Sequence, residues 1–367
     1  MRRGPIGRGR LASALLSAVT ALILTGCSGL PTAREMGDMA LLRTLGVDNS
    51  PAGVAVTGST GPRARGLQGE GEAALTLEAD RTSLGSACLA MQGQSDSYVF
   101  FGYVDQLLIG QTLAEEGIRP VLDYFARDSE LGLGAQLWLV RGATAREAVA
   151  AGGDQGVDSR LETIRKDSEM GIANLTRTAG EVYTDLLEMG SAYVPALSPA
   201  GEGEAVLAEK GYAILKDETL VGFLEGEEAK GLELLAGGAE ADILDMETDG
   251  EWVSVKITSA RTGSDLSFQG DSLTGLKLRC RIEGRLSEYR QPLSVEELKK
   301  LQTAVEKREK TRLEGALEQL RAWGTDCTGL GARAAMTHPA RWQGIQEDWP
   351  EWFSQVPVEV QVEVKIL

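Results

Sequence analysis

The chain has 367 residues, of which 43% are hydrophobic and 25% are charged, and its formal net charge is −17 at pH 7. This balance is typical of a globular protein, and the length fits two or three domains whose cores need no cross-links. Acidic residues outnumber basic ones by 54 to 37, which argues against nucleic-acid binding through phosphate neutralisation and against attraction to anionic lipid headgroups.

The first 27 residues have the layout of a secretory signal. Four arginines precede an apolar stretch, Leu11–Leu24, that is shorter than the ~20 residues of a membrane span. The stretch ends in Leu24-Thr25-Gly26-Cys27, which resembles the lipobox of bacterial lipoproteins. We therefore expect residues 1–26 to be removed as a signal peptide and Cys27 to be the lipid-attachment site. Two acyl chains anchor stably, because each buried CH₂ contributes ~0.8 kcal/mol.

Residues 27–153 are predicted to form an N-terminal α+β domain. Leu131–Arg141 has apolar residues on both faces, which is typical of a strand in the centre of a sheet. The glycine-rich stretch at 152–156 marks the end of this domain. The patterns predict helices at 33–45, 82–91, 118–125 and 143–150, and strands at 98–109 and 131–141.

Residues 154–236 are predicted to form a middle domain of helices and one hairpin. Apolar residues at 172, 175, 179, 182 and 186 recur at helical spacing, and Gly190 follows as the helix end. Leu207–Leu224 is typical of a β-hairpin that turns at residues 216–218.

Residues 237–367 are predicted to form a C-terminal α+β domain. Alternating segments at 252–258 and 276–286 precede a capping box at Ser294 and a helix to about Ala322. The last strand has valine or isoleucine at every even position from 358 to 366. A long helix between alternating strands implies an antiparallel sheet covered on one face. The fold class is therefore α+β, with three domains and mixed or antiparallel sheets packed against helices.

No catalytic, cofactor-binding or metal-ligating constellation stands out. The sequence has no nucleophile elbow, phosphate loop or zinc-protease helix. Its only histidine, His338, precedes a proline and is expected to be a surface or satisfied residue. Cys88 and Cys280 fit core positions, and no cysteine pair has C-x-x-C spacing. We therefore predict no enzyme activity, no cofactor and no metal site.

Each of three other groups of residues has both a structural and a functional interpretation. Asp123, Asp128 and Glu130 cluster in sequence, which does not make an acid–base pair unless they face one cleft. The tryptophans at 342, 349 and 352 fit packing better than sugar stacking. The basic side chains of the 276–286 strand form either a solvated sheet face or a partner surface; they are Lys277, Arg279, Arg281 and Arg285.

Short motifs follow one another in a fixed order along most of the chain. They are Arg34-Glu35-Met36-Gly37-Asp38-Met39-Ala40, Leu45-Gly46-Val47-Asp48, Phe100-Phe101-Gly102, Leu108-Ile109-Gly110, Leu113-Ala114, Gly117-Ile118, Leu122-Asp123, Arg127-Asp128-Ser129-Glu130, Gly211-Tyr212-Ala213-Ile214-Leu215-Lys216-Asp217, Leu220-Val221-Gly222, and Asp326 with Gly329-Leu330-Gly331, Pro339, Trp342, Trp349 and Phe353. Together with the lipobox, they resemble the C subunit of GerA-type spore germinant receptors, the Ger(x)C lipoproteins.

Four residues, at three places in the chain, depart from the pattern of that family. Ser28-Gly29 follow Cys27 where the family has Trp-Asp, Tyr103 stands where histidine is common, and Ser129 replaces a proline. The first change alters only the tether. The other two leave the fold intact and argue against transferring a specific role to those positions.

The resemblance implies a three-domain α+β lipoprotein on the outer face of the spore inner membrane. It also implies a non-enzymatic role in nutrient-triggered germination, beside integral-membrane A and B subunits. Two other classes remain open, a solute-binding envelope lipoprotein with two α/β lobes and an envelope hydrolase. Polar residues converging on a deep pocket would favour those two classes, and a shallow apolar or basic surface would favour the receptor subunit.

Overall fold

The computed structural model describes residues 39–62, 73–171, 173–199, 207–238, 242–248, 251–270, 272–290 and 292–367. The predicted signal peptide, Cys27 and the motif residues 34–38 lie outside this description. The helix predicted at 33–45 is wrong over its described part, because β1 (Met39–Leu41) and the start of β2 (Thr44–Ser50) are strands. Short apolar runs do not distinguish a helix from a strand, and pairing within sheets decides the outcome here.

Up to residue 224, the strands in the described part of the chain belong to two sheets. The smaller sheet pairs β1 with β5 (Tyr98–Phe100). The other strands of this part, besides β2, are β3 (Gly53–Ser59), β4 (Thr76–Arg81), β6 (Gln106–Gly110), β7 (Gln136–Val140), β8 (Ser191–Pro199), β9 (Leu207–Lys216) and β10 (Thr219–Leu224). They form one eight-stranded sheet in the order β10-β9-β8-β7-β6-β2-β3-β4.

The four central strands of the large sheet run parallel, and the strands outside them pair antiparallel. Parallel neighbours need crossover connections, which here contain helices. The α-helices of this part are α1 (Leu84–Gln92), α2 (Gln111–Glu116), α3 (Arg119–Arg127), α4 (Ala145–Ala150), α5 (Asp158–Glu169) and α6 (Ala179–Met189), and α7 (Gly226–Ala236) follows β10. The helices predicted at 82–91, 118–125 and 143–150 are confirmed as α1, α3 and α4.

The prediction that residues 131–141 contain a central strand is confirmed by β7. Leu137 and Leu139 belong to one hydrophobic core, and Trp138 and Val140 belong to a second core on the opposite face. The indole Nε1 of Trp138 donates a hydrogen bond of 2.8 Å to the buried Gln106 Oε1. Both faces of the strand are therefore covered, as its sequence implies.

The hairpin predicted at 207–224 is confirmed by β9 and β10. Its turn places Asp217 at φ 57°, a left-handed conformation that aspartate tolerates better than most residues. The helix predicted from residue 172 begins only at Ala179, where the Thr178 and Glu181 side chains form a capping box, and it ends at Gly190 as expected. Because β8, β9 and β10 belong to the same sheet as β2, β3, β4, β6 and β7, that sheet continues across the predicted boundary between residues 153 and 154.

A four-stranded sheet forms the C-terminal part of the chain. Its strands are β11 (Ile243–Thr248), β12 (Glu251–Gln269), β13 (Ser272–Glu288) and β14 (Val358–Ile366), in that order. The first three pair antiparallel, as predicted, but β14 runs parallel to β13. This corrects the expectation of an all-antiparallel sheet. The long helix between β13 and β14 returns the chain to the end of the sheet where β13 began, and the next strand then runs in the same direction.

That helix, α8 (Val295–Trp323), covers one face of the sheet. It begins as predicted with a capping box, in which Ser294 accepts from the backbone N–H of Glu297 and the Glu297 side chain accepts from that of Ser294. It ends at Gly324, which is left-handed. Its buried apolar residues are Leu301, Val305, Leu313, Ala316, Leu317 and Leu320. Three short helices follow it, α9 (Leu330–Ala335), α10 (Pro339–Trp342) and α11 (Trp349–Gln355).

One hydrophobic core continues from the large sheet into the C-terminal part. Tyr193, Tyr212 and Leu224 of β8 to β10 pack with residues of α7, of the four-stranded sheet and of α8. Residues 40–367 accordingly form one compact unit. Among the described residues, no helix combines the length and the apolar character that crossing a membrane requires. The predicted α+β class, with sheets packed against helices, is confirmed.

Candidate functional site on the basic face of the C-terminal sheet

The face of the four-stranded sheet that α8 leaves uncovered carries a stripe of basic side chains. On β13, Lys277, Arg279, Arg281 and Arg285 are exposed and alternate with buried or partly buried apolar residues. The alternation therefore divides the strand as its sequence predicts, with the apolar residues toward α8 and the cations on the open side.

The neighbouring strand β12 adds two more cations to this stripe. Arg261 lies directly opposite Arg281, and Lys256 lies directly opposite Arg285. Directly opposite residues in an antiparallel pair have Cβ atoms about 4.5–5.5 Å apart, and like charges in such a pair are destabilising. The stripe thus holds two like-charge pairs that lower the stability of the sheet.

Carboxylates lie both within and beside the stripe: Glu283 lies on β13 between Arg281 and Arg285, and Asp265 of β12 lies directly opposite Lys277. On β14, a Glu359 oxygen lies 3.9 Å from Lys277 Nζ, and a Glu363 oxygen lies 3.5 Å from Arg281 Nε. Arg279 faces the neutral Gln361 on β14 and Gly263 on β12. Within the described part of the chain, neither Arg279 nor Arg261 has a carboxylate within 4.0 Å. These two guanidinium groups keep their donors available.

A groove of 770 Å³ follows the centre of the stripe. Lys277, Arg279, Arg281 and Glu283 of β13 line one side, and Arg261, Gly263 and Asp265 of β12 line the other. A Cβ built on Gly263 meets no atom within 4 Å, so the groove is open above this position. The arrangement is an open surface with more cations than carboxylates, on strands whose opposite side chains anchor them in the core.

Arg261 and Lys256 were not predicted as members of this surface. The sequence indicated a strand only at 252–258, because the serine, threonine and glycine residues of 259–264 weaken the alternation. In the structure β12 extends to Gln269, and bulges near residues 254 and 258 keep its cations on the open face. Hydrogen-bonded pairing with the long, regular β13 keeps residues 259–269 in a strand, although their own sequence pattern is weak.

The predicted residues with catalytic potential occupy structural positions instead. His338 Nε2 lies 3.2 Å from Asp265 Oδ1, and the His338 ring contacts that of Phe268 edge-on at 5.5 Å. The described residues contain no group of three or more His, Cys, Asp or Glu side chains placed to hold a metal ion.

The cysteines at 88, 280 and 327 are buried free thiols. Burial raises the pKa of Cys88 to about 12 and that of Cys280 to about 11. Burial also raises the pKa of Cys327 far above its ordinary value. Because the thiolate is the nucleophilic form, all three are held in an unreactive state.

The carboxylates of the Arg127-Asp128-Ser129-Glu130 motif bind their own backbone and its neighbours. Asp128 Oδ1 accepts from the backbone N–H of Glu130 at 2.8 Å and of Leu131 at 3.0 Å. Burial opposes ionisation, but these two donors outweigh it and lower the pKa of Asp128. Glu130 accepts from the Tyr98 hydroxyl at 3.0 Å and from the Phe101 N–H at 3.2 Å. The motif therefore closes a loop.

A second motif carboxylate, Asp48, connects two neighbouring strands to a helix. Its oxygens accept from the first backbone N–H groups of α4, those of Ala145 at 2.8 Å and Arg146 at 3.0 Å. A Cβ on Gly110, the glycine of Leu108-Ile109-Gly110, would overlap Asp48 Oδ1. Burial raises the pKa of Asp48, and the two donors oppose that shift. Both motifs thus specify one helix N-terminus.

The C-terminal motif converges on Asp326. Its carboxylate accepts from the backbone N–H of Leu330 at 2.8 Å and of Gly331 at 2.7 Å, and from Trp349 Nε1 at 2.9 Å. A Cβ on Gly331 would overlap the rings of Trp349 and Trp342, which contact each other edge-on at 5.1 Å. These two tryptophans pack within the protein, and Trp349 also donates a hydrogen bond, in agreement with the packing interpretation.

The motif residues described above stabilise loops and helix N-termini. Comparison with known proteins identifies the family. A family model for the spore germination protein N-terminal domain matches residues 32–199, and a model for the C-terminal region of B3 and GerAC-like spore germination proteins matches residues 210–367. The chain belongs to the Ger(x)C family of spore germination proteins. The resemblance seen in the short motifs is therefore confirmed.

Individual relatives agree with this assignment. Spore germination protein B3 of Bacillus subtilis (strain 168) is 22% identical over 289 residues, which are 74% of this chain and 75% of that protein. The crystal structure of the GerBC protein is similar with a TM-score of 0.60 and 19% identity, covering 88% of this chain and 96% of that one. Because the identity is only 19%, this similarity shows only that the two proteins share a fold.

Proposed function

We propose that this chain is the non-enzymatic C subunit of a nutrient germinant receptor and is required for nutrient-triggered spore germination. The observation that carries the proposal is the match of two spore germination family models to residues 32–199 and 210–367. The partners of the proposed subunit are the integral-membrane A and B subunits of the receptor. Its binding free energy comes from surface complementarity, and a membrane anchor raises its effective concentration beside those partners.

The proposed anchor is a lipid on Cys27 at the outer face of the spore inner membrane. The sequence Leu24-Thr25-Gly26-Cys27 after a short apolar stretch supports it. The acidic composition supports it as well, because a chain with net charge −17 is repelled by anionic headgroups and needs a covalent attachment to stay at the bilayer.

The non-enzymatic role is supported by how the polar motif residues are used. Asp48, Asp128 and Asp326 each accept hydrogen bonds from two backbone N–H groups, so they fix local structure. The groove on the C-terminal sheet is open above Gly263 and is lined mostly by charged and polar residues, which favours a partner surface over the mostly apolar pocket expected of a small-molecule site.

Deletion of the gene tests the proposal. Spores without the protein are expected to germinate slowly or not at all with one class of nutrient, and to germinate normally when triggered independently of nutrient receptors. Normal germination with every nutrient tested contradicts the proposal. A single carboxylate-to-amide change that abolishes germination while protein level and folding stay normal favours an enzyme or a solute-binding protein instead.

The anchor is tested separately with the Cys27→Ala variant. The wild-type protein is expected in the membrane fraction with a modified N-terminal cysteine detected by mass spectrometry, and the variant is expected to lose that modification. An unmodified Cys27 in the wild-type protein, or a mature N-terminus elsewhere, contradicts lipidation without affecting the receptor assignment.

A further inference from the structure

We propose that the groove on the basic face binds an extended acidic segment of a partner protein, with Arg261, Arg279 and Arg281 contacting its carboxylates. The proposal deepens the receptor-subunit role by naming the surface and the chemistry of one contact. It does not depend on that role, because the groove is defined by this chain alone.

The first argument is that, without a partner, the stripe lowers the stability of the folded protein. Arg261 and Arg281 face each other directly, and so do Lys256 and Arg285. Cross-strand pairs of like charge destabilise a sheet, and this chain has 17 more acidic than basic residues and so no general excess of cations to place. An anionic segment lying along β12 and β13 removes the repulsion that the folded chain alone retains.

The second argument is the chemistry of the cations. Arginine presents a planar set of donors that matches a carboxylate in a bidentate geometry. Arg279 and Arg261 have no carboxylate partner within 4.0 Å among the described residues. Arg281 is 68% exposed and only 3.5 Å from one Glu363 oxygen, so it can be shared with a second acceptor.

The third argument is the shape of the stripe, which suits a single chain better than a bilayer. Its cations occupy two adjacent strands, and strands lie about 4.8 Å apart. Exposed carboxylates border it on both sides, Glu359 and Glu363 on β14 and Asp245 and Glu247 on β11. A flat anionic membrane meets these carboxylates together with the cations and is repelled by them. A narrow segment centred on Arg261, Arg279 and Arg281 contacts mainly cations, and of the carboxylates that line the groove it meets only the flanking Asp265 and Glu283.

The spacing along the stripe also fits an extended peptide. Lys277 and Arg285 are eight residues apart on one strand, which corresponds to about 27 Å at a rise of about 3.4 Å per residue. Side chains on one face of an extended peptide recur with the same period of two residues. Positions 277, 279, 281 and 285 carry cations and position 283 carries Glu283. A segment of about eight residues therefore matches the stripe when its side chains at alternate positions are acidic except for the one that meets Glu283.

Calorimetric titration of the full chain in neutral detergent at low salt tests the proposal, with octaglutamate as the probe and octalysine as the opposite-charge control. The groove variant combines Arg261→Gln, Arg279→Gln and Arg281→Gln. The control variant removes the same charge at exposed sites outside the groove, with Arg81→Gln, Lys210→Gln and Lys299→Gln. Wild type and the control variant are expected to bind octaglutamate alike, and the groove variant to lose about tenfold or more in affinity. Affinity of the wild type is expected to fall steeply with added salt.

Four outcomes overturn the proposal. They are no binding of octaglutamate by the wild type, equal loss in both variants, groove-dependent binding of phosphatidylglycerol in mixed micelles without binding of the peptide, and groove-dependent self-association of the chain. A thermal midpoint of the groove variant at or above that of the wild type excludes misfolding as the cause of lost binding. These measurements use the purified protein, so a negative result leaves the proposed receptor role standing. Equally, normal germination of the deletion strain leaves the groove result standing.

Discussion

Trp323 at the end of α8 lies directly over Gly222 of β10, where a side chain of any size would overlap the indole ring. Lys216 Nζ, on the paired strand, donates a hydrogen bond of 3.0 Å to the Trp323 carbonyl. The hairpin of the large sheet is thereby attached to the long helix that covers the C-terminal sheet. Gly222 ends the motif Leu220-Val221-Gly222, so the close approach of Trp323 gives this motif glycine a physical reason.

A side chain at position 222 is expected to destabilise the protein. Gly222→Val should lower the free energy of unfolding by about 1–3 kcal/mol, because its Cβ would overlap Trp323 Cζ2 and the indole ring would have to leave its present contact. Gly222→Val combined with Trp323→Leu should cost less than the sum of the two single changes. Urea denaturation checks this. Gly263→Val is the matched control on another strand, because its Cβ meets no atom within 4 Å, and it should be neutral or stabilising.

Removal of the Asp326 carboxylate should also be costly. Asp326→Ala leaves the backbone N–H groups of Leu330 and Gly331 and the Nε1 of Trp349 without their acceptor in a buried site. We expect a loss of about 2–4 kcal/mol in the free energy of unfolding, because each unsatisfied buried donor carries a penalty. Asp96→Ala, at an exposed position, should change it by less than about 0.5 kcal/mol. Similar melting of the two variants would show that the Asp326 contacts contribute little.

Local patterns predicted the elements with strong periodicity. The capping box of α8, the hairpin and the alternation of β13 and β14 each depend on a few neighbouring residues, and all are present. What failed depends on residues far apart in the chain. The parallel direction of β14 follows from the path of α8, and the extent of β12 follows from its pairing with β13.

The candidate surface on β12 and β13 was only half predictable for the same reason. Four cations on β13 share a two-residue period and are visible in the sequence, whereas Arg261 joins them only through strand register. The motifs were recognised as a series, but their physical role was not. Asp48 and Ala145, or Asp326 and Trp349, meet only after folding.

The three described cysteines should not react with a thiol reagent while the protein is folded. Burial raises the pKa of Cys88 to about 12 and that of Cys280 to about 11, so almost no thiolate is present near pH 8. Ellman's reagent should therefore detect none of the three in the native protein. In denaturant it should detect three thiols if Cys27 is lipidated and four if Cys27 is free. Rapid native reaction at any of the three would contradict the burial.

Glu162 should make stability depend on pH in the acid range. Two hydrogen bonds from Arg165, of 2.9 and 2.8 Å, lower the pKa of Glu162 from 4.5 to about 2. Because its pKa is lower in the folded state, ionised Glu162 stabilises the folded protein above pH 4.5, and this stabilisation is lost as the pH falls toward 2. Because the pair lies near the surface, Glu162→Gln should cost no more than about 1 kcal/mol at pH 6 and progressively less at pH 3. A difference between wild type and variant that stays constant over this range would exclude the ion pair as its cause.

Arg261→Gln should stabilise the protein. The change removes one member of the Arg261–Arg281 pair, whose repulsion is uncompensated on the β12 side. A gain of about 0.2–1 kcal/mol in the free energy of unfolding is expected at low salt, and it should shrink in 1 M salt, where screening reduces the repulsion. Lys277→Gln is the matched control: Lys277 lies 3.9 Å from Glu359, so its removal should be neutral or slightly destabilising. If Arg261→Gln destabilises the chain as much as a core substitution, the side chain packs into the sheet, and Arg261 cannot serve as a free cation of the groove.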